Sequence, residues 1–564
     1  MKTEKGYPIP QGCTVSGNKV NFSVAVPTKK KCELLLYKKG KKSPLTVLPV
    51  KEDSVTGELR FLSVILDRPQ EYEYNYRIEG TIVPDPYGKS FAGKEVWGKK
   101  RDVQNHEIRT HIVPDDFFWE SDTRPHLAMD EVIAYTLHVR GFTKHKSSKV
   151  RHKGTFCGLI EKLPYIRQLG VNQIQCMPVY EFEENQERYT NYWGYGEGCY
   201  FAPKASYAVE DAVTELKETV KTLHKEGIEI VLEMPFTSGT SMLLIADCLR
   251  YWVMQYHIDG FIVNPDVCDI GALSKDPVLI HTKLLRKQDQ FQNTMRRFLK
   301  GDEGMIGEVA WQLRHLSDGG ETFNYIAGHN GFTLHDVVSY DGKHNELNGE
   351  QNHDGPEYNY SWNCGAEGPS RKKAVLELRK GQIRNAFLLL LLAQGTPCIL
   401  AGDEFENTQK GNNNVYCQDN PTAWLDWSAL EKDPSLFEFV KRLTVFRREH
   451  RVFCPKTEMR GLDDMCCGIP DVSYHGRYAW QMPSEIASRQ LGVFYHGTNG
   501  REDNCFVAYN MHWIEHIFAL PKLPKELKWH EAVNTMEGVL KEARPIEERE
   551  VSVKERTIRV FVGL

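Results

Sequence analysis

The sequence predicts a multidomain chain: a (β/α)8 TIM-type barrel flanked by an N-terminal and a C-terminal β-sandwich. Three observations carry that expectation. Residues 1–115 alternate apolar and polar positions between turn signals, as in NFSVAVP, CELLLYKKG, LRFLSVILD and YEYNYRIEG, the pattern of a small antiparallel sandwich. From 116 to 453, short apolar strands alternate with longer amphipathic stretches. Val132 to His138, Val171 to Met177, Ile228 to Met234 and Gly260 to Asn264 read as strands, and Ala212 to Lys225 and Arg379 to Ala393 as helices, which is the signature of parallel βα units. From 454 to 564 strands return as LGVFYHG, CFVAYNMHW and TIRVFVGL, a second sandwich.

Composition narrows the function classes. At 564 residues the chain exceeds one ordinary domain. With 41% hydrophobic and 26% charged residues it has the make-up of a soluble globular protein. The net charge of −5, from 71 basic and 76 acidic residues, gives no reason to expect nucleic acid or an anionic membrane as partner. The start, MKTEKGYPIPQG, has no apolar segment that could serve as a signal peptide. The longest apolar run, Ala386 to Ala393, falls far short of the roughly 20 residues that span a bilayer. Fourteen cysteines are scattered without CxxC pairs or paired histidine spacing, so no metal, cofactor or disulfide framework is indicated. Cys466 and Cys467 read as free thiols. A cytoplasmic location is the resulting expectation.

Several segments carry the chemistry. They are LEMPFTS (Leu232 to Ser238), IDGFIVN (Ile258 to Asn264), KLLRKQDQ (Lys283 to Gln290) and NYIAGHNGFTLHDVVSY (Asn324 to Tyr340). To these add HVRGFTKH (His138 to His145), NYWGYGEGCYFAP (Asn191 to Pro203), AGDEFENTQKGNNNVYCQDN (Ala401 to Asn420) and WLDW (Trp424 to Trp427). Together they resemble the α-amylase superfamily, glycoside hydrolase family 13, in its isoamylase and bacterial glycogen-debranching branch, across essentially the whole chain. Tyr74 to Gly88 is similar to the end of the starch-binding-type module that precedes the barrel in isoamylases.

The resemblance implies an α-1,6-glucosidase, but the residues depart from it. A retaining glycosidase needs a nucleophilic carboxylate and an acid/base carboxyl about 5 Å apart. Enzymes of this superfamily add a third carboxylate that holds the sugar. Asn264 stands at the nucleophile position, and a carboxamide is a poor nucleophile at carbon. Ile262 replaces the arginine that orients the nucleophile. Asn330 replaces the third carboxylate, after His329, and Ser238 replaces a sugar-binding histidine. For the acid/base two frames exist. GMIGEVAW contains Glu308, but the run before it resembles a stretch downstream of the catalytic glutamate; the matching segment is KLLRKQDQ, which puts Lys287 at the acid/base position.

All three catalytic carboxylates are then replaced, and a pseudoenzyme is expected. Tyr192, Trp193, Tyr195 and His329 are the expected glucan contacts, with α-glucan (glycogen or amylopectin) and an active glycogen-metabolism enzyme as implied partners. A hydrolase that uses displaced carboxylates (Asp266, Glu308 or Glu233) and a protein-interaction scaffold without glucan affinity stay open as alternatives. The run from Ser238 reaches DCLRYW (Asp247 to Trp252) almost at once, so one wall of the cleft is expected to be missing.

Overall fold

The computed structural model describes residues 1–564 except 28–29, 52, 317–320, 498–502 and 524–526. Near the N-terminus two antiparallel sheets face one another. One is built around Lys19–Ala25 and Leu59–Ile65, the other around Cys32–Lys38 and Tyr72–Ile78. Period-two alternation sorts the side chains: Leu34 and Leu36 join Phe22, Val64 and Tyr74 between the sheets, while Leu35 and Tyr37 pack on the opposite face with Ile82. This unit docks on the rest through Trp97, which packs against Phe182 and Tyr207 with the Arg140 guanidinium over its ring, and through Lys94 paired with Glu183.

The centre is the expected parallel barrel, and among the described residues it closes with seven strands. They are β1 (Ala134–Leu137), β2 (Gln173–Cys176), β3 (Glu229–Met234), β4 (Gly260–Val263), β5 (Lys283–Lys287), β6 (Thr322–Asn324) and β7 (Thr396–Leu400), with β7 pairing back to β1. Two helices in succession, Asp289–Lys300 and Ile306–Arg314, stand between β5 and β6, where an eighth unit would have supplied a strand.

Alternate residues of each strand point inward. Val132, Ala134, Val231, Ile262, Leu285, Phe323, Tyr325 and Cys398 form the dry middle of the barrel. On β3 and β5 the same parity puts charge at both ends. Lys283 pairs with Glu229 at the bottom, and Lys287 with Glu233 at the top. Each pair is separated from the other by the Val231 and Leu285 layer. A buried lysine or glutamate is tolerated only when its charge is met in this way.

The C-terminal part is a six-stranded antiparallel sheet with a two-stranded sheet, His516–Ala519 and Glu550–Val553, across one face. Phe506 and Ala508 of Asn504–Asn510 face that small sheet with Phe494, Phe518 and Phe561; Cys505, Val507 and Tyr509 face the barrel. Both faces are covered, which is why this strand is apolar or small nearly throughout. No helix among the described residues is long and apolar enough to cross a membrane.

Candidate functional site

The loops after the barrel strands enclose a cleft of about 1040 Å³ at the C-terminal end of the barrel. That is the end where βα loops build sites in this architecture. Its floor is Glu233, Lys287, Tyr325 and His329; its walls carry Trp193, Tyr195, Tyr189, Tyr416, Tyr358 and Tyr360.

Lys287 ends β5 facing inward, and its Nζ donates to Glu233 Oε1 at 2.9 Å. The lysine side chain is 30% exposed and the glutamate 8%, so the pair sits at the boundary between cleft and core. Burial by itself raises the Glu233 carboxyl, but the Lys287 ammonium outweighs it and holds Glu233 below the usual glutamate range. His329 Nε2 lies 2.7 Å from the Tyr195 hydroxyl, with the two rings stacked and the Trp193 edge against the imidazole. Burial first, and then the nearby Lys287 charge, push His329 down to about 3, so the imidazole is neutral. With Nε2 taken by Tyr195, a neutral imidazole leaves Nδ1 for a sugar hydroxyl.

The other carboxylates of the cleft are also engaged. Asp289 accepts from the Tyr325 hydroxyl and Glu350 from the Tyr416 hydroxyl. Asp354 accepts from Asn348 and Asn414 at 2.7 and 2.8 Å, and Glu357 pairs with Lys343 at 2.6 Å.

The positions expected to be degenerate separate into two groups. Lys287 and Asn330 line the cleft. Asn264 does not: it is exposed just beyond β4, and its Oδ1 accepts from the Asp266 backbone N–H at 2.9 Å, closing a local turn. Ile262, at the arginine position, is 7% exposed inside the barrel, packed with Val231, Leu285 and Tyr325. An arginine there would find no carboxylate at position 264. Ser238 is exposed in the turn after β3 and does not line the cleft.

Three of the candidate residues lie outside the cleft. Tyr192 is 2% exposed and packs under the cleft floor against His138, ring centroids 4.2 Å apart, so it contributes core rather than sugar contact. Asp266 lines a separate depression with Asp269, Arg286 and Glu321, away from Glu233 and Lys287. Glu308 lies in the first turn of the helix Ile306–Arg314, where it accepts from Gln290 at 2.6 Å; it ends no strand and reaches no cleft. Of the displaced carboxylates, Glu233 alone is in the cleft.

Sequence reasoning missed Tyr189, Tyr358, Tyr360 and Tyr416. The first two exposed rims are Tyr358, 80% exposed and stacked near Tyr360, and Tyr189, 43% exposed against Tyr416. The signal was PEYNYSW, an aromatic-rich run with neither helix nor strand period, in the long connection between β6 and the helix Lys373–Leu391. The missing wall is as expected. β3 is followed within eight residues by the helix Met242–Tyr256, and nothing between Met234 and Arg286 lines the cleft.

The recognised motifs meet around this cleft. Arg140 of HVRGFTKH grips Asp419 of the QDN run in a bidentate pair at 2.9 and 2.8 Å, and Tyr192 of NYWGY donates its N–H to the Tyr416 carbonyl. Asn413 bonds Asn345 and Asn359, pinning the loop that presents Tyr358 and Tyr360.

Comparison with known proteins agrees with this geometry. The family described as alpha amylase, catalytic domain, matches residues 125–238. A glycogen operon protein GlgX homolog of Mycobacterium tuberculosis is 30% identical over 79% of this chain and 79% of its own length. The chloroplastic isoamylase 1 of Arabidopsis thaliana is 28% identical over 94% of this chain and 84% of its own. Among solved structures, the Group B Streptococcus pullulanase SAP superposes with a TM-score of 0.79 at 16% identity, covering 99% of this chain and 88% of that one. The chain belongs to the α-amylase superfamily, in its isoamylase and glycogen-debranching branch.

Proposed function

We propose that this protein is a non-hydrolytic member of its branch, which binds α-glucan in the barrel cleft without cleaving it. The observation that carries the reading is the Lys287–Glu233 pair. The strand end that should present an acid/base carboxyl presents an ammonium, and that ammonium occupies the nearest carboxylate. With asparagine at 264 and 330, neither half of a double displacement has its group. What supports retained binding is the aromatic lining: Trp193, Tyr195, Tyr358, Tyr360 and Tyr416 offer flat apolar faces of the kind that stack on sugar rings, beside the neutral His329.

The solved pullulanase from Paenibacillus barengoltzii holds maltohexaose and α-cyclodextrin and that of Group B Streptococcus maltotetraose, which supports an α-glucan as the ligand here. The cytoplasm is the compartment that suits fourteen free cysteines. A role as targeting or regulatory partner of an active glycogen enzyme follows from binding without cleavage.

The test is native electrophoresis through gels with and without glycogen, with an unrelated protein as mobility control, alongside an assay for new reducing ends. Selective retardation without reducing ends is expected. Reducing ends abolished by Glu233→Gln would instead favour the displaced-carboxylate hydrolase. Unchanged mobility across a wide glycogen range would favour the scaffold reading.

A further inference from the structure

Far from the cleft, the last barrel helix and the C-terminal sheet bring together a histidine, an aspartate and a cysteine. His450 caps the helix Ser435–Glu449, and Asp503 and Cys505 flank the start of the strand Asn504–Asn510. His450 Nδ1 is 2.8 Å from Asp503 Oδ1 and 3.6 Å from Cys505 Sγ, and Cys505 Sγ is 3.8 Å from Asp503 Oδ1. All three ligand atoms lie within 4.8 Å of one another.

We propose that His450, Asp503 and Cys505 form a zinc-binding site that ties the barrel to the C-terminal sheet. The spacing of the donors is the first argument. For Zn–N and Zn–O near 2.0 Å and Zn–S near 2.3 Å, a tetrahedron has ligand–ligand edges of about 3.3–3.6 Å. The N–S and O–S edges are within about 0.3 Å of that, and the N–O edge opens by about 0.5 Å once its hydrogen bond is exchanged for metal bonds.

The donor set is the second argument. One sulfur, one imidazole nitrogen and one carboxylate oxygen suit borderline-soft Zn²⁺ better than hard Mg²⁺ or Ca²⁺, which take oxygen ligands.

Accessibility is the third. Cys505 is fully buried, while the His450 and Asp503 side chains are each 20% exposed, so the cluster opens to one side and leaves room for a fourth, exogenous ligand. Part of an outer shell is in place. Asp503 Oδ2 accepts the Val452 backbone N–H at 3.2 Å, and the His450 ring packs against Phe446, centroids 4.3 Å apart. Such contacts fix ligand orientation. On binding, the Cys505 thiol releases one proton to solvent, and the imidazole carries its remaining proton on Nε2 so that the Nδ1 lone pair faces the metal.

The test is titration of the full chain with Zn²⁺ and, separately, with Co²⁺ as a spectroscopic probe. Both are done in a Cys466→Ser, Cys467→Ser background, because that exposed pair is itself a thiol ligand for metals. One equivalent of metal per chain, a thiolate-to-cobalt charge-transfer band and a rise of several degrees in melting temperature are expected. Cys505→Ser should abolish the charge-transfer band, and His450→Ala should weaken binding at least tenfold. Circular dichroism shows whether each variant folds. Should Cys505→Ser fail to fold, His450→Ala and Asp503→Asn, both at positions 20% exposed, carry the comparison. No stoichiometric binding in the folded parent, or binding unchanged by His450→Ala and Asp503→Asn together, would overturn the site.

Discussion

Lys287 Nζ and Glu233 Oε1 meet 2.9 Å apart at the top of the barrel, and each explains why the other is there. Glu233 is buried and would be costly as a lone charge, and Lys287 supplies the counter-charge from the adjacent strand. On the proposed reading, the strand end expected to carry the acid/base group is half of an ion pair.

Removing one partner should therefore cost stability rather than change chemistry. Lys287→Met is expected to destabilise by about 3 kcal/mol, the low end for breaking a buried pair because the lysine is 30% exposed. The pH dependence follows in sign. In the parent the Glu233 pKa is held low, so the pair's contribution is present above the unfolded glutamate range and is lost as pH falls through the folded value. In the variant the Lys287 charge no longer opposes burial, so that pKa rises and the penalty is relieved on acidification. Denaturant melts at pH 7 and pH 4 check this: the gap between parent and variant should shrink at pH 4. The double variant Lys287→Met, Glu233→Gln should recover part of the loss.

Restoring the family's carboxylates should not restore hydrolysis. The combination Asn264→Asp, Lys287→Glu and Asn330→Asp is expected to release no reducing ends from glycogen. Position 264 points into its own turn, Ile262 supplies no guanidinium, and a glutamate at 287 would stand against Glu233. A reducing-end assay above the buffer blank would refute the prediction.

Glucan affinity should depend on the rim tyrosines more than on Tyr192. Tyr358→Ala, at a position 80% exposed, should leave the melting temperature unchanged and weaken glycogen retardation by roughly fivefold, the loss of about 1 kcal/mol of stacking. Tyr192→Phe keeps the ring beneath the floor and should leave affinity as it is. Affinity electrophoresis over a glycogen series measures both.

His329 should make the parent acid-sensitive. Its folded pKa of about 3 lies below the ordinary histidine value near 6.5, so the unfolded chain takes up a proton that the folded chain refuses. Stability therefore falls as pH drops below 6.5. Between pH 7 and 5 the parent should lose about 2 kcal/mol relative to His329→Gln, which has no such group. Paired chemical melts at the two pH values test it, and parallel curves would refute it.

Much of the architecture was legible in the chain. Apolar alternation announced both sandwiches, and strand–helix alternation announced the barrel, because periods of 2 and 3.6 are local properties of the backbone. The helix Ala212–Lys225 and the strand exit at Met234 fall where the pattern puts them. The residue types at 262, 264, 287 and 330, on which the expectation of lost catalysis rests, are likewise read without coordinates.

Tertiary structure alone decided what those residues touch. No spacing in the chain indicates that Lys287 would find Glu233, 54 residues away, or that Glu308 would end up on a helix outside the cleft. Strand count was likewise a matter of closure: the described residues close the barrel with seven strands, a number no local pattern announces. Tyr192 and Tyr195 share one aromatic run, yet the first is core and the second is cleft, because the turn through Gly194 sends neighbouring rings to different sides. Sequence fixes which groups are available through local backbone preference and residue chemistry. Which groups meet is set by packing between distant segments, where burial and charge pairing are decided only once the barrel has closed.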